Sequence, residues 1–285
     1  MATLVGGIVQ AETDTYYPFR DDIHHEMTFG NWHQRQVENV FSNPANLAGN
    51  KGLQALIGHH SGRLDTTTIY TAMQWLIGNV DFAIGIDTTF SDDIKEVVDG
   101  DYAPSQVGSF RDAYSTITVG SGIPINSEWT FGLKGQIRTR ELFNESAVGL
   151  SGDIGLTWQG YPLSISVYTR SLIQSPLTWT TGLEESLAPR MIVETSYMFD
   201  PIQFYSGIQY SDQLEQVTGG VEWFMSPDMS LFGDVMVDAV SDTQSIRFGP
   251  YMSFNERFKM RYSYSTTQHS YATIQDHEIG FIITL

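Results

Sequence analysis

Residues 129–140 read WTFGLKGQIRTR and alternate between two kinds of side chain. One set of alternate positions carries Trp, Phe, Leu, Gly, Ile and Thr, and the other carries Thr, Gly, Lys, Gln, Arg and Arg. A period of two is typical of a β-strand with one apolar and one polar face. Residues 258–265 and 278–285 repeat the pattern. The sequence therefore predicts strands that separate an apolar from a polar environment.

Segments of this kind recur along most of the chain. The predicted strands cover residues 53–60, 67–77, 79–90, 113–123, 128–140, 147–158, 162–172, 188–199, 201–211, 215–225, 229–239, 244–254, 256–266 and 275–285. Tight turns alternate with longer links at 91–112, 141–146, 173–187 and 267–274. An even number of antiparallel strands, with short turns at one end and long loops at the other, is typical of an outer-membrane β-barrel.

Aromatic residues strengthen the membrane interpretation. They cluster near the short turns at Trp75, Trp129, Trp158, Tyr161, Phe199, Phe204, Trp223, Phe254 and Phe258, and near the long loops at Phe90, Tyr114, Tyr210 and Tyr264. Aromatic belts at both ends of an apolar band mark the two membrane interfaces. A soluble barrel or sandwich is the alternative, but side chains cannot fill the interior of a barrel with fourteen strands.

Composition excludes several classes of protein. The 285 residues include 33 acidic and 15 basic side chains, a formal net charge of −18, and no cysteine. Such acidity argues against a nucleic-acid partner, which needs a basic surface. The lack of cysteine excludes disulfides, thiolate metal sites and cysteine nucleophiles.

Three regions are predicted. Residues 1–11, MATLVGGIVQA, resemble the end of a signal peptide without its basic start, and a disordered N-terminus is the alternative. Residues 12–51 do not alternate and are rich in aromatics, so we expect a hatch that enters the lumen rather than an exposed tail. Residues 52–285 form the transmembrane barrel.

The run NPANLA at residues 43–48 resembles the NPAGLA signature in the hatch of FadL-type outer-membrane transporters and their PorV-like relatives. Asn46 departs from it, since glycine is usual there. Residues 152–156, 187–199 and 220–223 resemble the PorV-like branch. The resemblance implies a fourteen-strand barrel with hatch residues Asn43, Pro44, Ala45 and Asn46. FadL relatives carry hydrophobic small molecules, whereas PorV relatives serve type IX secretion.

Charged residues on the inward faces are the candidate ligand site. Four arginines at the outer end of the lumen could bind a carboxylate, because guanidinium groups bind carboxylates in bidentate fashion: Arg138, Arg140, Arg170 and Arg190. The alternative, to which we give more weight, is a lattice of salt bridges, because charges of both signs line the lumen. The further predicted lumen residues are Lys134, Glu194, Glu222, Asp234, Lys259 and Arg261.

Neither metal nor catalytic sites are predicted. The histidine pairs 24–25 and 59–60 are poor chelates, because adjacent side chains in a strand point to opposite faces. Acidic pairs lie in loops, and histidines are not placed to serve a serine nucleophile. We therefore expect no enzyme activity and no cofactor.

The predicted function is passive uptake of fatty-acid-like hydrophobic molecules through a plugged lumen in the outer membrane of a Gram-negative bacterium. The alternative is a PorV-like barrel that docks a secretion or surface protein on loops 91–112 and 173–187. Expected partners are outer-membrane lipid, lipopolysaccharide and, through the alternating terminus, the barrel-assembly machinery.

Overall fold

The computed structural model describes residues 37–49, 52–61, 66–98, 105–143, 145–240, 243–268 and 273–285, with backbone alone at 92–98 and 105–110. Fourteen long strands form the wall. They are β1 (Gln54–Ser61), β2 (Thr66–Ile77), β3 (Val80–Val98), β4 (Ser105–Pro124), β5 (Trp129–Leu142), β6 (Glu145–Gly160), β7 (Leu163–Arg170), β8 (Arg190–Phe199), β9 (Ile202–Tyr210), β10 (Leu214–Ser226), β11 (Met229–Asp238), β12 (Thr243–Asn255), β13 (Phe258–Gln268) and β14 (Thr273–Thr284).

Each strand pairs antiparallel with the next, and the sheet closes on itself. β14 pairs with β1, with Thr284 opposite Gln54 and His277 opposite Ser61. Closure leaves no edge strand with unpaired backbone groups. The prediction of a closed, antiparallel barrel of fourteen strands is confirmed.

Two predicted loops are wrong in part. The segment 91–112 continues the hairpin instead, since β3 extends to Val98 opposite Ser105 at the start of β4. Its acidic sequence suggested a loop, but a backbone ladder can form without alternating apolar side chains. The segment 173–187 contains three short strands, Ile173–Gln174, Leu177–Trp179 and Glu184–Glu185, of which the first two pair with β6.

The two faces of each strand differ as the sequence predicts. On β5, Leu133 and Ile137 point outward and are each 45% exposed, whereas Lys134 and Arg138 point inward and are buried. Aromatic side chains at the short-turn end, such as Trp129 and Trp223, also point outward. Tyr114 does not belong to the predicted outer aromatic belt. It is in phase with inward Thr116 and is buried opposite Arg140, so it faces the lumen.

Two short 3-10 helices, Val37–Val40 and Pro44–Leu47, precede the barrel in the described part of the chain. None of the helices in that part is long and apolar enough to cross a membrane. The predicted signal-peptide remnant, residues 1–11, and most of the predicted hatch lie outside the described residues.

Candidate functional site

Residues 37–49, here called the lumen segment, lie against the inner wall. Val37, Val40 and Leu47 are fully buried. They form one apolar cluster with inward side chains of β1, β2, β3 and β14, namely Leu56, Tyr70, Ala72, Ala83 and Ile282. Burial of this apolar surface stabilises the position of the segment.

The local sequence explains the shape of the segment. Asn43 caps the second 3-10 helix, because its side-chain oxygen accepts a hydrogen bond from Ala45 N at 3.0 Å. Pro44 occupies the first turn, where no backbone donor is needed. Residues 43–45 thus form a compact turn with an internal hydrogen bond, and the turn presents polar atoms to the wall.

Hydrogen bonds join this turn and the residues after it to β6, β2 and β3. Thr157 donates to Asn46 Oδ1 at 2.8 Å and accepts from Asn43 Nδ2 at 3.1 Å. Gln74 Nε2 donates to the Leu47 carbonyl at 2.8 Å, and Asp81 accepts from Gly49 N at 2.7 Å. Asn46, the departure from the usual glycine, therefore contributes a hydrogen bond of its own.

Lys134 fixes the start of the turn. Its Nζ donates to the Ser42 carbonyl at 3.1 Å and to the Phe41 carbonyl at 3.4 Å, and lies 3.1 Å from Asp153 Oδ2. Both charged side chains are almost completely buried. Lys134 was predicted only as a lumen charge, and the sequence contains no signal for its contact with the lumen segment.

Small residues allow the segment to approach the wall. A Cβ atom at Gly132 would lie 2.2 Å from Ala45 N, and one at Gly122 would lie 2.4 Å from Ala48 N. Real Cβ atoms do not approach backbone atoms this closely. Glycine is therefore required at both positions if the segment is to lie where it does.

The four predicted rim arginines all point inward. Arg138 donates to Ser151 and Ser171 at 2.8 and 2.7 Å. Arg140 lies 3.4 Å from Asp112 and 3.7 Å from Glu185. The other two, Arg170 on β7 and Arg190 on β8, lie opposite each other in the strand register. Arg190 Nε lies 2.7 Å from a Glu215 carboxylate oxygen.

The other predicted lumen charges also lie on the inner face. Glu194, Glu222, Asp234 and Arg261 are buried, and Lys259 is partly buried in phase with Arg261. Tyrosines that the sequence analysis did not select hydrogen-bond to lumen carboxylates, each at 3.0 Å: Tyr70 to Glu278, Tyr168 to Glu194 and Tyr205 to Asp234. These tyrosines alternate in step with the polar residues of their strands, and this pattern could have indicated that they face the lumen. A tyrosine hydroxyl suits a polar lumen.

The histidines behave as predicted where they are described. His59 is exposed and His60 is buried, so the two side chains point to opposite faces. His24 and His25 lie outside the described residues. Within the described ranges, no group of three histidine or carboxylate side chains is arranged to hold a metal ion.

Solved structures with the same fold are known. No protein-family model and no curated protein sequence matches the chain. The toluene transporter TodX of Pseudomonas putida has a TM-score of 0.70 at 11% identity, over 88% of this chain and 94% of that chain. The monoaromatic hydrocarbon channel CymD has a TM-score of 0.68 at 10% identity, over 88% and 93%.

A FadL homologue of Pseudomonas aeruginosa aligns over 91% of this chain and 96% of its own, with a TM-score of 0.62 at 9% identity. At this identity the likeness shows the fold alone. The chain therefore has the fold of FadL-type transporters, which agrees with the broader part of the predicted resemblance. The PorV-like branch is not confirmed.

Proposed function

We propose that the protein is an outer-membrane channel for passive uptake of hydrophobic small molecules, with residues 12–51 as its hatch. One observation carries the proposal: the lumen segment lies inside a barrel that shares its fold with the toluene transporters TodX and TbuX. A wide barrel without such an obstruction would leave an aqueous channel.

The outer surface supports a membrane location. Large apolar side chains are exposed around the wall, including Ile86, Ile117, Leu150, Ile208 and Val235. A soluble protein rarely exposes contiguous apolar surface of this extent. Lipid tails would cover it, while the polar inner faces stay away from them.

The contacts of the lumen segment support a hatch that can be released. Apolar packing and a few hydrogen bonds hold it, and no covalent link is available in a chain without cysteine. We infer that a hydrophobic molecule passes when this segment shifts away from β4–β6. Residues 12–36, the remainder of the proposed hatch, lie outside the described residues.

The role of the rim arginines in ligand capture stays a prediction. Arg140 and Arg190 have carboxylate partners, which favours the salt-bridge alternative for these two. Contacts with lipopolysaccharide, with the assembly machinery and with a protein at the long loops also stay predictions. Within the residues that the structure describes, no observation favours the docking alternative.

Reconstitution tests the proposal. Liposomes that contain the full chain should take up toluene faster than empty liposomes, while glucose should remain outside. A chain that lacks residues 12–50 should admit both solutes, because its lumen would be open to water. Equal toluene uptake with and without protein would contradict the transport proposal. Exclusion of glucose by the shortened chain would contradict the hatch.

A further inference from the structure

Arg261, on the inner face of β13, is unusual among the lumen arginines. It is 5% exposed, and its Nε, Nη1 and Nη2 atoms all lack a hydrogen-bond partner among the residues that the structure describes. By contrast, Arg138 donates to two serines and Arg247 donates twice to Asp234. Buried donors without acceptors cost free energy. The described wall supplies no hydrogen-bond acceptor for this guanidinium group.

Contacts with an aromatic ring hold the group in place. The Arg261 guanidinium lies 5.0 Å from the centre of the Phe232 ring, and Arg247 lies 5.7 Å from the centre of the same ring. A cation–π contact uses the charge of the guanidinium group and consumes none of its N–H donors. Five donors in one plane are thus held in place for an acceptor.

The charges around Arg261 decide what kind of acceptor fits. Arg261 interacts electrostatically with Glu222 and Glu278. These carboxylates accept hydrogen bonds from hydroxyl groups, Glu222 from Ser230 and Glu278 from Tyr70 and Ser263. Asp234 is paired with Arg247. Three carboxylates therefore face two guanidinium groups, and His60 also interacts with Glu278, so the positive charge is already balanced and a neutral acceptor fits better than a further anion.

We propose that Arg261 binds the oxygen of a neutral, otherwise apolar molecule, such as an aromatic aldehyde or ketone, as it passes through the lumen. This inference rests on the proposed function and specifies its substrate class. One buried aromatic ring, Phe232, lies beside the guanidinium group, and buried Tyr251 is directly opposite Arg261 on β12. Tyr70, which bonds to Glu278, contacts Phe41 of the lumen segment ring to ring at 6.3 Å, so the site adjoins the proposed hatch.

The experiment is equilibrium binding to the full chain in detergent, with three probes of similar size: toluene, benzaldehyde and benzoate. We expect benzaldehyde to bind about tenfold more tightly than toluene, because a hydrogen bond from a charged donor is gained. Benzoate should bind no more tightly than benzaldehyde. Arg261→Met should remove the preference for benzaldehyde but keep toluene binding, and Arg261→Lys should restore part of it. Arg257→Met, in the exposed turn before β13, is the matched control.

Each result that contradicts the expectation points to a different part of the inference. Equal binding of toluene and benzaldehyde by the native chain would overturn the role of Arg261 and leave the channel proposal intact. Equal weakening of both probes in Arg261→Met would assign the residue a structural role only. Tightest binding of benzoate would overturn the neutral-acceptor class. A native chain that binds none of the probes would overturn this inference, while toluene uptake into liposomes would decide the channel proposal separately.

Discussion

The two arcs of the barrel wall use their inward residues differently. From β2 to β6, glycines stand among the inward polar and charged side chains, and the turn of the lumen segment lies on these glycines. From β9 to β14, tyrosines, arginines and carboxylates face the lumen and bond to one another, as in the group of Tyr205, Asp234 and Arg247. One arc is shaped to receive backbone, and the other presents side-chain chemistry.

This difference suggests separate roles for the two arcs. The first arc holds the proposed hatch by shape, because removal of side chains creates the space that a backbone needs. The second arc carries the polar groups that a passing molecule would contact. Variants in the two arcs should therefore have separable effects.

The largest effect is expected from Lys134→Met. It leaves Asp153 buried without its ion-pair partner and removes the two hydrogen bonds to the lumen segment. Loss of one partner of a buried pair costs about 3–5 kcal/mol in the free energy of unfolding. We expect a lower unfolding midpoint in detergent together with a higher single-channel conductance.

Arg247→Met provides the comparison from the other arc. It breaks a similarly buried pair with Asp234, but it lies on β12, outside the β2–β6 arc that receives the turn of the lumen segment, so stability should fall while conductance stays at the native level. The double variant Lys134→Met with Asp153→Leu should recover most of the lost stability, since no unpaired charge remains. Equal conductance in Lys134→Met and Arg247→Met would contradict the division between the arcs.

A smaller effect is expected at the outer rim. Replacement of both Arg138 and Arg140 by glutamine removes hydrogen bonds to Ser151 and Ser171 and the pairing with Asp112. We expect a loss of about 1–3 kcal/mol in stability and unchanged uptake of long-chain carboxylates by liposomes. A marked fall in that uptake, with stability restored by added lipid, would instead support ligand binding by these arginines.

The sequence predicted the barrel well because its signal is local. Period-two alternation fixes which side chains point inward, as with Lys134, Arg138 and Arg261, and the turns fix the number of strands. The hairpin beyond Phe90 was missed, because outside an apolar environment the alternation that marks a strand disappears.

The contacts of the site could not be predicted in the same way. Asn43 meets Thr157 across 114 positions of sequence, and Lys134 meets the Ser42 carbonyl across 92. Neither strand periodicity nor composition encodes such distances. The sequence equally gives no sign that Arg261 has no hydrogen-bond partner among the described residues, since it resembles any other inward charge.

We infer that the lumen segment rests on the wall at glycines such as Gly122 and Gly132 and closes the channel there. Single-channel conductance of Gly132→Ala and Gly135→Ala tests it most directly. Both glycines lie on β5, but a Cβ at Gly132 would meet the backbone of the segment at 2.2 Å, whereas one at outward-facing Gly135 would meet nothing within 4 Å. We expect raised conductance for Gly132→Ala and native conductance for Gly135→Ala. Native conductance in both variants would contradict it.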